Sequence, residues 1–395
     1  MVKKVLAKSQ LKAEVSSQAE HYRRELIELS LKIHANPEQG LREEKASTWL
    51  TDCLENKGFH VEKGVGGLPT AFKAVYGSGG PVIALLAEYD ALPELGHACG
   101  HNIIAASAIG AAVVSKCVVD NYGGTIAVIG TPAEELFGGK TIMVKAGLFE
   151  QVDAAMIVHP GVRNMATIEA LACIGLDIEF FGKAAHAAAH PEQGVNALEA
   201  MILAFNAVNS LRQHIKDKAR IHGIIARGGE AANIVPAYSA AKLLVRALDN
   251  VYLDELKEKV LNCFAGASLA TGARLEHNWA ETAYAPMKNN LSLARLFSRN
   301  LEFLGRRIVP FETRFGFGST DMGNVSQVVP SIHPTVAIAP PGVSLHSADF
   351  ALAAASDAGH DGLLDAAKAL AMTVTDLLSR PEPLAKVKDD FAGHS

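Results

Sequence analysis

The densest group of potential metal ligands in this chain is the segment 96–102, which reads Gly-His-Ala-Cys-Gly-His-Asn. Its Cys99 and His101 could supply a thiolate and an imidazole, ligands that borderline-soft divalent metals accept. The apolar run 82–87 before the segment predicts a buried strand, and 103–119 after it predicts a helix. Open α/β sheets place their chemistry in such strand-to-helix loops. The segment therefore predicts a metal site, with a small buried cysteine beside loop histidines as the structural alternative.

Two adjacent carboxylates, Glu134 and Glu135, follow the next apolar run at 125–130. Neighbouring side chains of an extended loop point to different sides, so one carboxylate can bind a metal while the other takes a proton from water. Metal-assisted hydrolysis needs this division of labour. The alternative is a pair of solvated acids at the start of a helix, where the helix dipole favours negative charge.

Single histidines follow two further apolar runs. His159 comes directly after 154–158, and His346 follows 335–339 across a short proline-containing loop. One histidine at a strand end is more often a hydrogen-bonded structural residue. Because the carboxyl ends of neighbouring strands converge in an open α/β sheet, the four placements together predict one shared site.

Three residues in the middle of the chain are candidates for contacts with a substrate, namely His186, Asn233 and Arg246. An arginine and an asparagine amide can together hold a carboxylate. Each is a weak signal alone, since Arg246 could be a solvated strand residue and His186 an ordinary loop histidine.

The elements that must position these residues alternate between apolar runs and helical patterns, which predicts an α/β fold with a mostly parallel sheet and flanking helices. Residues 17–58 read as helix with a break near Asn36-Pro37, and further helices are predicted at 138–150, 290–305 and 360–379. We expect the catalytic, metal-binding domain to comprise 1–171 and 286–395, with a frayed tail from residue 386.

The middle of the chain follows the order β-α-β-β-α-β of a ferredoxin-like unit. Its predicted strands are 174–181, 220–227, 239–248 and 274–281, and its predicted helices are 195–215 and 252–269. We therefore predict an inserted ferredoxin-like α+β domain over 172–285.

The bulk composition narrows the class of protein. A net charge of -5 without a basic block, and an aromatic content of 6%, argue against nucleic acid as a partner. The N-terminal 30 residues lack the apolar core of a signal peptide, and 103–119 is short for a membrane span. Five widely spaced cysteines form no disulfide framework, so a cytoplasmic protein is expected.

Taken together, these residues resemble the aminoacylase/carboxypeptidase family of dinuclear metallopeptidases and amidohydrolases, over about residues 20–380. The similarity is strongest to the branch with a cysteine ligand, which includes β-alanyl-lysine dipeptidase and aminobenzoyl-glutamate hydrolase. The motifs that carry it are A-E-Y-D-A-L-P at 87–93, G-H-A-C-G-H-N at 96–102, T-P-A-E-E at 131–135, V-H-P at 158–160, G-K-A-A-H-A-A at 182–188, N-I-V-P at 233–236, S-T-D-M-G-N-V at 319–325 and L-H-S-A-D-F at 345–350.

The resemblance implies two divalent metal ions per chain, with Zn or Mn expected first and Co or Ni as further candidates. Cys99 would bridge the two ions. Glu135 and His346 would complete one metal site, and His101 and His159 would complete the other.

The resemblance also implies roles around the metals. Glu134 would be the general base, and Asp90 would support the site from behind the ligands. His186 would reach across a homodimer interface to stabilise the oxyanion. The inserted domain would act both as the dimerisation surface and as a lid that closes to exclude water. Asn233 and Arg246 would hold the free carboxylate of a small substrate, an N-acyl amino acid or a dipeptide.

Three departures from the family pattern affect these expectations. Glu88 stands where other branches have a metal-binding histidine, and Asn102 replaces an aspartate that is common after the second histidine. Leu136 and Phe137 stand where relatives often have glycines, and we expect them to narrow the pocket in favour of an aromatic or aliphatic acyl group.

The predicted activity is metal-dependent hydrolysis of an amide bond. One alternative is a thiol amidase with Cys99 as nucleophile and His101 as base, although no third orienting group is evident. Another is a non-catalytic metal- or ligand-binding regulatory subunit on the same fold. The complete set of acids and ligands argues against that alternative.

Overall fold

The computed structural model describes residues 8–312 and 318–393. The first seven residues of the chain and the last two residues of the predicted tail lie outside the described residues. The described helices are α1 (Lys8–His21), α2 (Arg23–His34), α3 (Glu44–Asn56), α4 (His101–Tyr122), α5 (Gly139–Lys145), α6 (Ala197–Arg212), α7 (Asn250–Thr271), α8 (Leu291–Phe303), α9 (Met322–Val328), α10 (Ala348–Ala353), α11 (Asp357–Leu378) and α12 (Pro381–Ala392). The described strands are β1 (His60–Lys63), β2 (Phe72–Ser78), β3 (Val82–Ala87), β4 (Gly124–Gly130), β5 (Ala154–Met156), β6 (His159–Gly161), β7 (Ala172–Phe181), β8 (Arg220–Arg227), β9 (Tyr238–Ala247), β10 (Arg274–Trp279), β11 (Ser331–Ile332) and β12 (Thr335–Ala337).

The chain forms two compact units, one built from the residues up to 169 and from 287 onward, and the other from 170–286. The first unit contains a six-stranded sheet of order β1-β2-β4-β3-β5-β11. β3 is parallel to both β4 and β5, and β5 is parallel to β11, whereas β2 is antiparallel to β1 and β4. The predicted α/β class with a mostly parallel sheet is therefore confirmed.

Helices cover both faces of this sheet. In β3, Ile83 and Leu85 pack into a core with helices such as α4 and α11, while Ala84 and Leu86 face a second core with α5 and α9. A strand that is buried on both faces needs a continuous apolar sequence, which explains the run Val82–Ala87. The ends of β3 and β4 then meet at one edge of the sheet.

Helix α4 is the one helix of the described chain that is long and apolar enough to cross a membrane, but 89% of its apolar stretch is buried inside the structure. It packs against α11, α2 and the strands β3 and β4. This is the packing of a core helix.

The predicted frayed tail is wrong. Helix α12 runs from Pro381 to Ala392, and its Val387 is fully buried in the core of the first unit. The Asn290 side chain donates a hydrogen bond to the Val387 carbonyl at 2.8 Å, and Asp390 accepts one from the Ser292 amide at 2.9 Å. Apolar contacts and capping interactions with α8 hold this helix in place.

The second unit has the predicted ferredoxin-like order, with four antiparallel strands in the order β10-β7-β9-β8. Helices α6 and α7 cover one face, where Phe180 and Phe264 belong to a separate apolar core. Asn196 caps α6 by accepting the amides of Leu198 and Glu199. Strand β8 lies at one edge of the sheet.

Candidate metal centre

Asp90 connects the two loops that carry the predicted ligands of the first unit. Its Oδ1 lies 2.9 Å from Nδ1 of His101, the first residue of α4, and its Oδ2 accepts the Glu135 amide at 3.0 Å. This contact leaves Nε2 of His101 facing the Glu135 carboxylate, 3.9 Å from Oε1. A carboxylate behind a histidine is the usual arrangement that fixes a metal-binding imidazole.

Three groups of potential ligand atoms share members in this place. Cys99, His101 and His159 form one group, Cys99, Glu135 and His346 form the second, and His101, Glu134 and Glu135 form the third. Within each group the ligand atoms lie within 4.8 Å of one another. Cys99 belongs to two of the groups, so its sulfur lies between two sets of donors.

Backbone geometry brings the cysteine group together. Gly100, between Cys99 and His101, has φ +80°, and a Cβ there would lie 2.5 Å from the Pro160 ring. The absence of that Cβ lets the β6 segment approach, and His159 Nε2 reaches 3.3 Å from the Cys99 sulfur. Only glycine meets both requirements.

His346 comes from the loop between β12 and α10. Its amide donates to the Ala98 carbonyl at 3.0 Å, which ties this loop to the cysteine loop. His346 has φ +60°, a backbone conformation that residues other than glycine rarely adopt. Its Nε2 lies 3.4 Å from Oε1 of Glu135. Strain of this kind is typical of functional positions.

The residues fit a pair of divalent metal ions. Nε2 of His101 and Oε1 of Glu135 are buried and have no hydrogen-bond partner among the described residues, although both point into the ligand groups. Buried polar atoms without a partner are costly, and a bound cation would satisfy both. One thiol, three imidazoles and a carboxylate form a donor set that suits transition-metal ions.

The two adjacent carboxylates have opposite pKa shifts. Burial opposes ionisation of Glu135, but the His346 imidazole beside its Oε1 and the charge of His101 lower its pKa to about 2. Burial and the charges of Glu88 and Asp321 raise the pKa of Glu134 well above its usual range. Different environments therefore divide the pair into an ionised carboxylate and a carboxyl group with higher proton affinity.

Glu88 stands where other branches have a metal-binding histidine, but it is not an isolated acid. It belongs to a buried charge cluster with Lys140 and Asp321. The Lys140 ammonium lies 2.5 Å from Oε1 of Glu88 and 2.8 Å from Oδ1 of Asp321. The lysine is fully buried, and its backbone amide also donates to Asp321 at 2.8 Å. Oε2 of Glu88 lies 3.6 Å from Nε2 of His101, so this cluster adjoins the ligand groups.

Sequence reasoning missed His333, which is buried beside His159 with 5.5 Å between the ring centroids. Burial lowers its pKa to about 3, and neither ring nitrogen has a partner among the described residues. A signal was available, since Ile332-His333-Pro334 repeats the apolar-His-Pro pattern of Val158-His159-Pro160. His97 is also buried, but it belongs to none of the three ligand groups.

The second unit brings His186 and Asn233 close together. The Asn233 carbonyl accepts the Ala187 amide at 3.0 Å, and His186 forms a β-bridge with Ile234. Nδ1 of His186 accepts the Ala188 and Ala189 amides, which puts the imidazole proton on Nε2. That nitrogen is then a hydrogen-bond donor.

Arg246 is not close to these two residues within the same unit. It lies near the end of β9, where its Nε donates to His222 at 3.3 Å, whereas Asn233 and His186 adjoin the start of that strand. From Tyr238 to Arg246 the strand spans about 26 Å at about 3.3 Å per residue. One substrate carboxylate therefore cannot contact Asn233 and Arg246 of the same unit.

The fold and the ligand groups define a metallohydrolase with an inserted α+β domain. A model of the peptidase dimerisation domain of M20 enzymes matches residues 172–270. The chain is 38% identical over 379 residues to mouse Xaa-Arg dipeptidase, covering 92% of this chain and 88% of the relative. The chain thus belongs to the M20 family of metallopeptidases and amidohydrolases, and it is a hydrolase.

Further similarities are consistent with this assignment. One of the two p-aminobenzoyl-glutamate hydrolase polypeptides of Escherichia coli is 37% identical over 275 residues, 64% of this chain and 57% of the relative. A dinuclear metal binding M20 peptidase from Bacillus subtilis has a similar fold, with a TM-score of 0.70 at 20% identity over 91% of this chain and 99% of its own. The resemblance inferred from the sequence motifs is confirmed.

Proposed function

We propose that this chain is a two-metal hydrolase that cleaves the amide bond of an N-acyl amino acid or a dipeptide. The observation that carries the proposal is the sharing of Cys99 between two groups of ligand atoms. A single metal would not need four further donors arranged around one sulfur. In this proposal, Glu135 and His346 complete one metal site with Cys99, and His101 and His159 complete the other.

Two divalent ions would acidify a water molecule and polarise the carbonyl of the scissile amide. Zn and Mn are the first candidates, and Co and Ni are the next, because availability as well as ligand type decides which metal is bound. Asp90 would hold His101 in the required tautomer and fix the position of the Glu135 backbone relative to that imidazole.

Glu134 would act as the general base. Its carboxylate would take a proton from the attacking water, and it would then donate that proton to the leaving amine nitrogen as the C–N bond breaks. The base is thus regenerated in each cycle. The charges that raise the pKa of Glu134 are consistent with a carboxyl group that accepts and returns a proton.

In the proposed homodimer, residues of the second unit from both subunits would contact one substrate molecule. Nε2 of His186 would donate a hydrogen bond to the oxyanion, and Asn233 beside it would contact the same substrate. Arg246 from the other subunit would bind the free carboxylate, because β9 separates it from Asn233 within one chain. A homodimer is therefore part of the proposal.

The exposed edge of the second unit supports such a homodimer. Among the described residues, strand β8 pairs with β9 on one side only, and its Ile224 is 64% exposed. On the neighbouring helix α6, Ile202 and Leu203 are also exposed. Free strand edges with apolar neighbours favour pairing with another chain.

The cysteine usage further leads us to place the dimer in the cytoplasm.

The substrate proposal follows from the surroundings of the metal centre and from the relatives. Leu136 and Phe137, next to Glu135, are 51% and 44% exposed and offer apolar surface to an acyl group. The relatives include an Xaa-Arg dipeptidase and a p-aminobenzoyl-glutamate hydrolase. We propose a substrate with an apolar or aromatic acyl group and an amino acid with a free carboxylate as leaving group.

The test is hydrolysis by metal-reconstituted enzyme of a panel of N-acyl amino acids, β-alanyl dipeptides, Xaa-Arg dipeptides and aminobenzoyl and indoleacyl conjugates. Glu134→Gln should lower kcat about 10²–10⁴-fold while two metals per chain remain in elemental analysis. The exposed Glu62→Gln on β1 is the control and should retain wild-type kcat. Unchanged turnover in Glu134→Gln, or chelator-resistant turnover with a trapped acyl-enzyme, would contradict the proposal.

A further inference from the structure

The loop 131–138 between β4 and α5 carries both Glu134 and Glu135, and its backbone makes an unusual turn just before them. Ala133 has φ +61°, in the left-handed region that residues with a Cβ rarely occupy. Nothing in the alanine side chain can stabilise that conformation by a local hydrogen bond. The Ala133 carbonyl accepts the Phe137 and Gly138 amides within the loop at 3.2 and 2.9 Å, and contacts from elsewhere in the fold hold the amide side of the residue.

The segment before α3 supplies two such contacts. Oε1 of Glu43 accepts the Ala133 amide at 2.8 Å. Gly40 approaches so closely that a Cβ on it would lie 2.9 Å from both Cα and Cβ of Ala133. A hydrogen bond and a close packing contact thus both fall on Ala133, whose backbone is left-handed.

Glu43 is itself rigidly placed. It is fully buried, its Oε2 accepts the Thr70 hydroxyl at 2.9 Å, and its carbonyl accepts the Ser47 amide at the start of α3. Burial and the nearby Asp90 charge raise its pKa to about 7, while the hydrogen bonds from Thr70 and Ala133 oppose that shift. A buried acid is unfavourable compared with an apolar side chain, so its hydrogen bonds must account for its presence.

The two backbone amides that flank Glu134 are therefore both held by buried carboxylates. Glu43 holds the Ala133 amide on one side, and Asp90 holds the Glu135 amide on the other. Because the amides of Ala133 and Glu135 are fixed, the direction in which the Glu134 side chain leaves the backbone is fixed as well. A small rotation at Ala133 would move both carboxylates relative to the ligand groups.

We propose that Glu43 is a positioning residue for amide hydrolysis, since it holds the left-handed Ala133 and so aims Glu134 and Glu135 at the metal centre. This inference rests on the proposed function, in which those two carboxylates are base and ligand. Glu43 itself contacts neither substrate nor metal.

The experiment compares kcat and KM for Glu43→Ala, Glu43→Gln and the double variant Glu43→Ala/Ala133→Gly. Glu43→Ala should lower kcat about 10–100-fold with little change in KM, as is usual when the support of a metal ligand is lost. Glu43→Gln keeps an acceptor for the Ala133 amide and should stay within about threefold of wild type. Glycine adopts positive φ readily, so the double variant should recover part of the lost kcat.

A matched control and a second variant separate positioning from loss of folding. Asp376→Asn removes another buried acid, which pairs with Lys12 and Asn300, and should leave kcat unchanged. Gly40→Ala removes no polar group but displaces Ala133, so it should lower kcat even if Glu43→Ala does not fold. An equal loss of kcat in Asp376→Asn, or wild-type kcat in folded Glu43→Ala and Gly40→Ala, would overturn the inference.

Calorimetric titration of the metal-free proteins with Co²⁺ gives a readout that does not depend on turnover. Glu43→Ala should bind Co²⁺ about 10-fold or more weakly than wild type, because Glu135 is no longer aimed at the ligand groups. Weaker binding by Glu43→Ala, together with a wild-type protein that hydrolyses nothing in the panel, would refute the proposed reaction but keep the positioning of Glu135. Equal Co²⁺ affinity would refute the positioning itself.

Discussion

Lys140 is a lysine without solvent exposure, and a carboxylate lies on each side of its ammonium group. Glu88 comes from the end of β3, and Asp321 directly precedes α9. The charge of Lys140, together with nearby histidines, lowers the pKa of Glu88 to about 2 despite its burial. Lys140 favours the ionised form of both acids next to the predicted metal ligands, although burial and the charge of Glu88 still raise the pKa of Asp321 to about 6.

Replacing that cation should be strongly destabilising. Lys140→Met would leave Glu88 and Asp321 buried without the ammonium group that they share, a loss that typically costs about 3–5 kcal/mol. Urea denaturation of the metal-free protein at pH 7 measures the change in the free energy of unfolding. The control is Lys145→Met at the exposed end of α5, for which we expect a loss below about 1 kcal/mol. Equal losses in the two variants would show that the cluster contributes nothing.

The sequence predicted the candidate metal ligands, which stand at the ends of strands. It did not predict the charged residues that tertiary packing places beside them. Cys99, His101, Glu135, His159 and His346 follow apolar runs, and the fold brings them together. Lys140 and Asp321 are separated by 181 positions, and no local pattern predicts that pairing. Glu43 likewise looks like one acid of an ordinary charged stretch.

At the scale of elements, the strands that were easiest to predict are those buried on both faces. β3 and β4 are continuous apolar runs, and both were predicted nearly to their ends. β1 and β2 were missed, because their sequences mix charged, aromatic and small residues and carry no clear period. They form the antiparallel edge of the sheet, where one strand face can remain polar.

Helix α12 was missed for a different reason. Its sequence is short and rich in charge, and only Leu384 and Val387 are buried. Two apolar residues three positions apart form too narrow a stripe to distinguish a docked helix from a polar tail. The burial of Val387 is decided by α8 and α11, which the local sequence does not reveal.

The docking of α12 predicts a contrast between neighbouring substitutions. Val387→Asp should destabilise the protein by about 3 kcal/mol, because it places an unpaired charge in the core. Lys386→Asp lies one position away on the exposed side of the helix and should change stability by less than about 1 kcal/mol. Thermal and urea unfolding measure both changes. A tail that was frayed in solution would tolerate both substitutions equally.

At the scale of the whole molecule, the candidate functional residues divide between the two units. The predicted metal ligands and Glu134 lie in the first unit, and His186, Asn233 and Arg246 lie in the second. The β-α-β-β-α-β order predicted the fold of the second unit well. It did not reveal that Arg246 lies at the opposite end of β9 from the other two residues. That separation becomes important only if the residues must contact one ligand, and the order of strands and helices does not predict a shared ligand.

A homodimer with shared sites predicts that two inactive variants restore activity when they are co-expressed. Glu134→Gln lacks the base of its own site, and His186→Ala lacks the donor that it would lend to its partner. Random pairing makes half of the dimers mixed, and each mixed dimer keeps one intact site, so turnover should reach about a quarter of the wild-type value. Co-expression of Glu134→Gln with His346→Ala is the control, since both residues serve the same chain's site and no activity should return. Steady-state hydrolysis by the purified mixtures measures the effect, and no recovery in the first pair would place His186 in its own chain's site or outside the reaction.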